Sequence, residues 1–402
     1  MNYVVTGPLG NEIVNGQVTV DDFGGFDLAF TVPENANLGY AYVSLTANGD
    51  LGRVDSLSYN HGFQIQEFRR PEFEVQAGNE TSGPYYNDEF AITVVSANYY
   101  AGGPLPNAEV TWNVNAEETN YQPPNWPEFF FGEWTPWWWY DWYWYGGNGT
   151  GQTRQVFEGR TDASGDHFLR LDFDGEGVQR PQSVLAEAVV MDVNRQAWSG
   201  STSLMVHPAE TYVGMRSERY FVERGPPIEV DLIVTDIDGN VISSRPVTVT
   251  AERMQWKFER GSWREVGTDA QVCEFVSGAE PSSCEFQTEL GGKYQITALV
   301  SDEAGRENRT RLTRWVSGGE RAPSRGIEQE TVTLIPDKEF YEPGDVAEIL
   351  VQSPFGAGEG LLTVSRSGIL YTERFTMTED STILRIPVED AYIPNFVIQV
   401  DL

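Results

Sequence analysis

The sequence predicts an all-β protein made of antiparallel β-sandwiches in tandem. Three observations predict it. The 402-residue chain is rich in Val, Ile, Tyr, Phe and Trp, residues that suit pleated, half-buried surfaces. No long stretch places apolar residues at helical spacing, whereas segment after segment alternates apolar and polar with period two. One strand–turn–strand pattern also recurs at intervals of about a hundred residues, the size of a sandwich domain rather than of a short solenoid repeat.

The clearest copy lies at 219–253. Ile228, Val230, Leu232 and Val234 alternate with Glu229, Asp231 and Ile233, which puts one apolar row inward and leaves the other row largely at water. D-I-D-G-N at 236–240 reads as a turn, because Gly239 accepts positive φ and Asp and Asn side chains bond their own backbone. Pro246 then opens a second strand through Val247 and Val249. The same pattern stands at 84–97 followed by 102–114, and at 339–353 followed by 358–366; residues 3–20 match its second half only. A further element follows each copy, at 23–33, 163–173, 290–300 and 378–388.

These repeats predict four units, immunoglobulin/fibronectin-III-like in size and pattern: 1–70, 71–208 with an insertion at 121–147, 209–319, and 320–402. G-G-E-R-A-P-S-R-G at 318–326 reads as a linker. The first unit lacks the opening half of the repeat. The last lacks a closing strand like those at 63–68, 203–208 and 312–317, so the chain is expected to be cut inside a repeat at both ends.

The formal net charge of -33 excludes nucleic acid as a partner, since nothing offsets phosphate repulsion. It also argues against adhesion to anionic lipid by overall charge. There is neither a membrane-spanning apolar run nor a signal peptide. Cys273 and Cys284, the only cysteines, flank a segment holding Gly278 and Pro281. A hairpin or loop closed by one disulfide is expected there, and with it an extracytoplasmic home: periplasmic, secreted or anchored at the cell surface. Two free thiols are the alternative.

Residues 121–145 stand apart. More than half are aromatic: Trp126, Phe129, Phe130, Phe131, Trp134, Trp137, Trp138, Trp139, Tyr140, Trp142, Tyr143, Trp144 and Tyr145 follow Tyr121. Pro123, Pro124, Pro127 and Pro136 forbid a regular central strand. Soluble domains rarely tolerate so large an exposed apolar patch. Three readings compete: packing on a neighbouring domain, contact with a membrane interface, and a protein or glycan docking surface.

Signs of chemistry are sparse. His61, His167 and His207 are not at metal-ligand spacing, and no H-E-x-x-H, nucleophile elbow, phosphate-cradling loop or dinucleotide fingerprint occurs. Asp236, Asp238 and Asn240 look like the start of a calcium loop whose remaining ligands are missing. Asp172, Asp174 and Glu176 make a second acidic knot at a turn. The sequence therefore predicts no enzyme, no metal and no cofactor.

Five motifs give the chain a family resemblance: E-F-R-R-P-E-F-E-V (67–75), Y-A-G-G-P-L-P-N-A-E-V-T-W-N-V (100–114), Y-V-G-M-R-S-E-R-Y-F-V-E-R-G (212–225), F-Y-E-P-G-D-V-A-E-I-L-V-Q-S-P-F (340–355), and G-I-L-Y-T-E-R-F-T (368–376) with Y-I-P-N-F-V-I-Q-V (392–400). In that order they resemble the macroglobulin-like (MG) domains of alpha-2-macroglobulins, in particular the large bacterial ones. The units look like a partial MG3, then MG4, MG5 and MG6. The resemblance implies a protease-trapping inhibitor in which a protease cuts a bait segment, the molecule rearranges around it, and a Cys-x-Glu-Gln thioester bonds to it. It implies as partners the other domains of the full-length protein and, through that protein, target proteases. No thioester is present: the Glu328-Gln329 pair has Gly326 where the cysteine would be. No bait stretch stands out, and one is expected just beyond residue 402. The expected role is a non-catalytic scaffold. A surface adhesin or glycan-binding array, with the aromatic insertion as contact surface, is the alternative, and the β-domains of a large glycoside hydrolase a third.

Overall fold

The computed structural model describes residues 1–21, 24–33, 35–48, 56–66, 72–139, 153–175, 177–259, 261–318, 332–353 and 356–402. It is all-β, with two short 3-10 turns, and separates into two compact units, residues 1–72 and 73–402.

The smaller unit is one four-stranded antiparallel sheet of β1 (Asn2–Thr6), β2 (Glu12–Gln17), β3 (Gly39–Asn48) and β4 (Ser56–Ile65), in the order β2-β1-β3-β4. Val5 lies opposite Val43, and both are buried with Ala41. Phe30, from the segment across this face, meets the Phe63 ring at 5.9 Å.

The larger unit begins with a sandwich of β5 (Phe73–Asn79), β6 (Tyr85–Tyr86), β7 (Phe90–Tyr99), β8 (Glu109–Glu118), β9 (Thr153–Arg160), β10 (Asp166–Asp172), β11 (Gln182–Met191) and β12 (Ala197–His207). A three-stranded sheet, β10-β7-β5, faces a five-stranded one, β6-β12-β11-β8-β9. Along β7 every second side chain is buried, as period two requires. The inward rows enclose Trp112, Phe73 and Val95.

The next sandwich repeats this arrangement strand for strand. It holds β13 (Thr211–Arg216), β14 (Phe221–Val222), β15 (Ile228–Asp236), β16 (Pro246–Glu259), β17 (Ser262–Val276), β18 (Ser282–Phe286), β19 (Gly292–Ser301) and β20 (Glu307–Val316). Its sheets run β13-β15-β18 and β14-β20-β19-β16-β17. Ile228, Val230, Leu232 and Val234 are all sealed in its core, each such burial contributing about 1.5–3 kcal/mol. The last sheets are formed by β21 (Thr333–Pro336), β22 (Val346–Gln352), β23 (Gly358–Ser365), β24 (Ile369–Met377), β25 (Ser381–Pro387) and β26 (Val397–Asp401), in the orders β21-β22-β25 and β24-β23-β26.

The two strands read at 219–253 are present as β15 and β16; they lie in opposite sheets, and the 236–240 turn carries the chain from one to the other. Two sequence expectations need correction. The segment 290–300 is not the counterpart of 163–173. It is β19, paired with β16 and β20, while the counterpart of β10 is β18, which pairs with β15. β18 is only five residues long, too short for its alternation to register. Finally, residues 24–33 form no strand. The counterparts β10 and β25 pair with β7 and β22, and no equivalent of those partners exists among the described residues of the smaller unit.

Candidate functional site: the aromatic insertion and the edges it closes

The insertion joins β8 to β9, and its described part, 119–139, leaves its own sandwich to pack on the next one. Its prolines remove backbone donors and bar regular pairing, so its structure comes from side chains and from two borrowed strand edges. The first edge is β13, outermost in its sheet. Phe130 N donates to Met215 O at 2.8 Å and Met215 N returns a bond to Phe130 O at 2.9 Å. The second is β20, where Arg311 N donates to Gly132 O at 2.8 Å and Trp134 N to Arg311 O at 3.0 Å. Between them Gly132 N donates to Thr310 Oγ1 at 2.9 Å, and Thr310 Oγ1 donates to Val213 O. The insertion thus stitches shut one open side of the second sandwich and satisfies edge groups that would otherwise invite foreign strands.

Side chains fix this path. Phe129 and Phe131 are buried against Tyr212 and Ile233. That corrects the expectation that the Glu229/Asp231/Ile233 row faces water: Ile233 is only 2 % exposed, because the insertion covers the outer face at that point. Phe131 lies flat on Gly214, where an added Cβ would stand 2.4 Å from its ring. Gly239, with φ +80°, lets the Pro124 carbonyl approach to 2.0 Å of where a Cβ would be. Trp126 Nε1 donates to Gly239 O at 3.0 Å, and Tyr121 OH donates to Ile237 O at 2.8 Å. Glu133 sits between Arg311 at 3.4 Å and Arg309 at 3.8 Å.

Further along, Trp134 and Trp138 stack with Tyr220 and Trp315, at centroid distances from 5.1 to 6.2 Å. Arg314 is buried among them, its guanidinium 5.0 Å from the Trp134 ring and 5.4 Å from Tyr220. Burial away from water pulls its pKa down to about 10. The cluster continues through Phe221 into Ile335, Leu350 and Ile383 of the third sandwich. Glu348, bonded to both Arg219 and Arg385, reinforces that seam. Trp137 is about half exposed. Trp139 ends a 3-10 turn; Tyr140, Trp142, Tyr143, Trp144 and Tyr145 lie outside the described residues, as does Glu328-Gln329.

The opposite side of the second sandwich is closed covalently. Cys273, on β17, and Cys284, on β18, form a disulfide between the two edge strands of opposing sheets. Of the two expectations, hairpin or loop, the structure gives the loop: β17 and β18 lie in different sheets, and the connection 277–281 carries the chain across the sandwich.

Two of the three histidines, His167 and His207, have structural partners. Trp112 Nε1 donates to His167 Nδ1 at 3.1 Å. His207 Nδ1 is hydrogen-bonded to the Tyr212 hydroxyl at 2.7 Å, with the Tyr121 ring edge-on at 4.8 Å. Burial lowers the pKa of both histidines. Asp236 spends its carboxylate on the turn, accepting from the backbone of Asp238 and Asn240 and from the Asn240 side chain. Asp172 pairs with Arg170 at 2.7 Å, Asp174 lies exposed nearby, and Glu176 is outside the described residues. Among the described residues no cluster of His, Cys, Asp or Glu is arranged to hold a metal, and no helix is long and apolar enough to cross a membrane.

Comparison with known proteins agrees with this architecture. Residues 332–402 match the alpha-2-macroglobulin bait region domain. An alpha-2-macroglobulin homolog of Nostoc is 23% identical over 401 residues, covering 98% of this chain and 20% of its own length. The chain is alpha-2-macroglobulin-like. Its fold is also that of the native Escherichia coli alpha-2-macroglobulin, with a TM-score of 0.50 at 16% identity over 100% of this chain and 27% of that one. Circularly permutated Ras protein 2 of Dictyostelium discoideum is 25% identical over 270 residues, 60% of this chain and 7% of its own length. The chain spans about a fifth of the alpha-2-macroglobulin homolog it matches. The bait-region domain match covers residues 332–402, most of the last of the four expected units.

Proposed function

We propose that this chain is a non-catalytic scaffold segment of an extracytoplasmic protease-trapping inhibitor of the alpha-2-macroglobulin kind. The observation that carries the reading is the match to the Nostoc homolog, which runs along 98% of the chain. Two features of the larger unit support it. The second sandwich is closed on one side by the insertion and on the other by the Cys273–Cys284 disulfide, which suits a rigid support. Its described polar clusters are engaged in turns, caps and ion pairs, which suits a part that does no chemistry itself. The four units at 1–70, 71–208, 209–319 and 320–402 are then successive MG domains. The partners are the remaining domains of the full-length protein and, through them, target proteases. The aromatic stretch up to Trp138 is spent on the neighbouring sandwiches, which weakens the adhesin reading.

The test uses the full-length protein mixed with a panel of endoproteases of different specificity, followed on denaturing gels. Retention of the protease after one limited cut supports the reading. Cleavage without retention, or no limited cut with any protease, sinks it.

A further inference from the structure

One face of the smaller unit's sheet carries two exposed tyrosines and almost no charge. Along β3, Ala41 and Val43 are buried against the inner face. Period two turns Tyr40 and Tyr42 to the outer one, where Tyr40 is 65% and Tyr42 50% exposed. Their Cα atoms stand about 7 Å apart along the strand, at about 3.3 Å per residue. The Tyr42 ring rests over Gly62, where an added Cβ would stand 3.4 Å from it.

The neighbouring side chains are uncharged. Tyr42 lies between Thr6 and Gly62, Tyr40 opposite Gln64, and Ser44 between Val4 and Asn60. The one carboxylate in register with these rungs is Glu12, opposite Thr6, and it accepts a hydrogen bond from Asn15 Nδ2. The chain as a whole holds 60 acidic and 27 basic residues. A patch of tyrosine, hydroxyl and amide groups departs from that background.

This composition selects a partner. Without a cation, the rungs have nothing to hold a phosphate, so neither nucleic acid nor anionic lipid is drawn to them. The core of a protein interface is apolar, with Met, Arg and aromatic residues enriched. Here Val4 is the only aliphatic side chain, and Met and Arg are absent from these rungs. The chemistry that fits has apolar C–H faces and many hydroxyls, with no charge. A pyranose ring has both: its C–H face stacks on the negative face of an aromatic ring, and its hydroxyls exchange hydrogen bonds with Asn, Gln, Ser and Thr.

We propose that this outer face is a contact site for a neutral polysaccharide, with Tyr40 and Tyr42 stacking on sugar rings and Thr6, Asn60 and Gln64 bonding their hydroxyls. The site is distinct from the aromatic insertion. The inference does not rest on the protease-trapping reading, and its test involves no protease.

The 402-residue chain is run on native gels cast with hydroxyethyl cellulose, galactomannan or glycol chitin, three neutral polysaccharides, at low and high salt. Retardation by at least one of them is expected, and it is the same at both salt concentrations because no charge takes part. Tyr40→Ala and Tyr42→Ala each weaken it about tenfold, the loss that one ring contact implies. Tyr42→Phe keeps the ring and keeps the retardation. Unchanged thermal midpoints show that the variants are folded. Retardation by none of the three overturns the proposal, including the case where this face holds a protein instead. So does retardation that high salt abolishes, that survives the two alanine substitutions together, or that is lost in Tyr42→Phe.

Discussion

At Gly214 the backbone of β13 lies under the Phe131 ring, and a Cβ would sit 2.4 Å from it. Gly214→Ala must displace the ring or the strand, and overpacking of this kind costs about 1–3 kcal/mol. Phe131→Ala removes a ring that is 1 % exposed and should cost about 3–5 kcal/mol. In the double variant the clash has no partner, so chemical denaturation should find the two costs far from additive; simple additivity would show that the contact is not made. His207 gives the pH counterpart. Burial holds its folded pKa below the 6.5 of the free side chain, so below that value the unfolded chain binds more protons. Stability is then fully present above about pH 6.5 and falls with pH down towards the folded pKa. His167 shifts in the same direction, so His207→Gln should flatten the slope of stability against pH below about 6.5 in part only. An unchanged slope would mean that His207 is not buried as a neutral ring.

At the scale of elements, the second sandwich has two closures of different chemistry. The Cys273–Cys284 bond spans 11 residues, and closing a loop of about that size stabilises by roughly 3 kcal/mol. Cys273→Ser with Cys284→Ser should lower that sandwich's melting point in scanning calorimetry by several degrees. An equal melting point with and without the bond would show that the insertion alone holds the sheets together. Much of this was legible in sequence. Period two at 228–236 gave the inward row of β15, and the cysteine spacing gave the bond. What was hidden depends on contacts far apart in the chain. Ile233 reads as a water-facing residue because only the insertion, about a hundred residues upstream, covers it. The short β18 and the strandless 24–33 went astray because a strand is made by its partner as much as by its own alternation. The prolines at 123, 124, 127 and 136 correctly denied the insertion a regular strand. They concealed that it would still lend single rungs to β13 and β20.

Across the larger unit, the insertion turns neighbouring sandwiches into one mechanical piece. From β8 it runs along β13 and β20 and ends in an aromatic cluster shared with the third sandwich. A scaffold that must hold distant parts in register needs such coupling, whatever those parts do. Native-state hydrogen exchange on residues 1–402 tests it most directly, because amides that open together belong to one cooperative piece. The account predicts that the amides of Phe130, Gly132 and Trp134, from the first sandwich's insertion, share one opening free energy with those of Met215 and Arg311 in the second. Fast exchange of the three insertion amides while Met215 and Arg311 stay protected would contradict it, and would make the insertion a surface loop lying on a sandwich that closes without it.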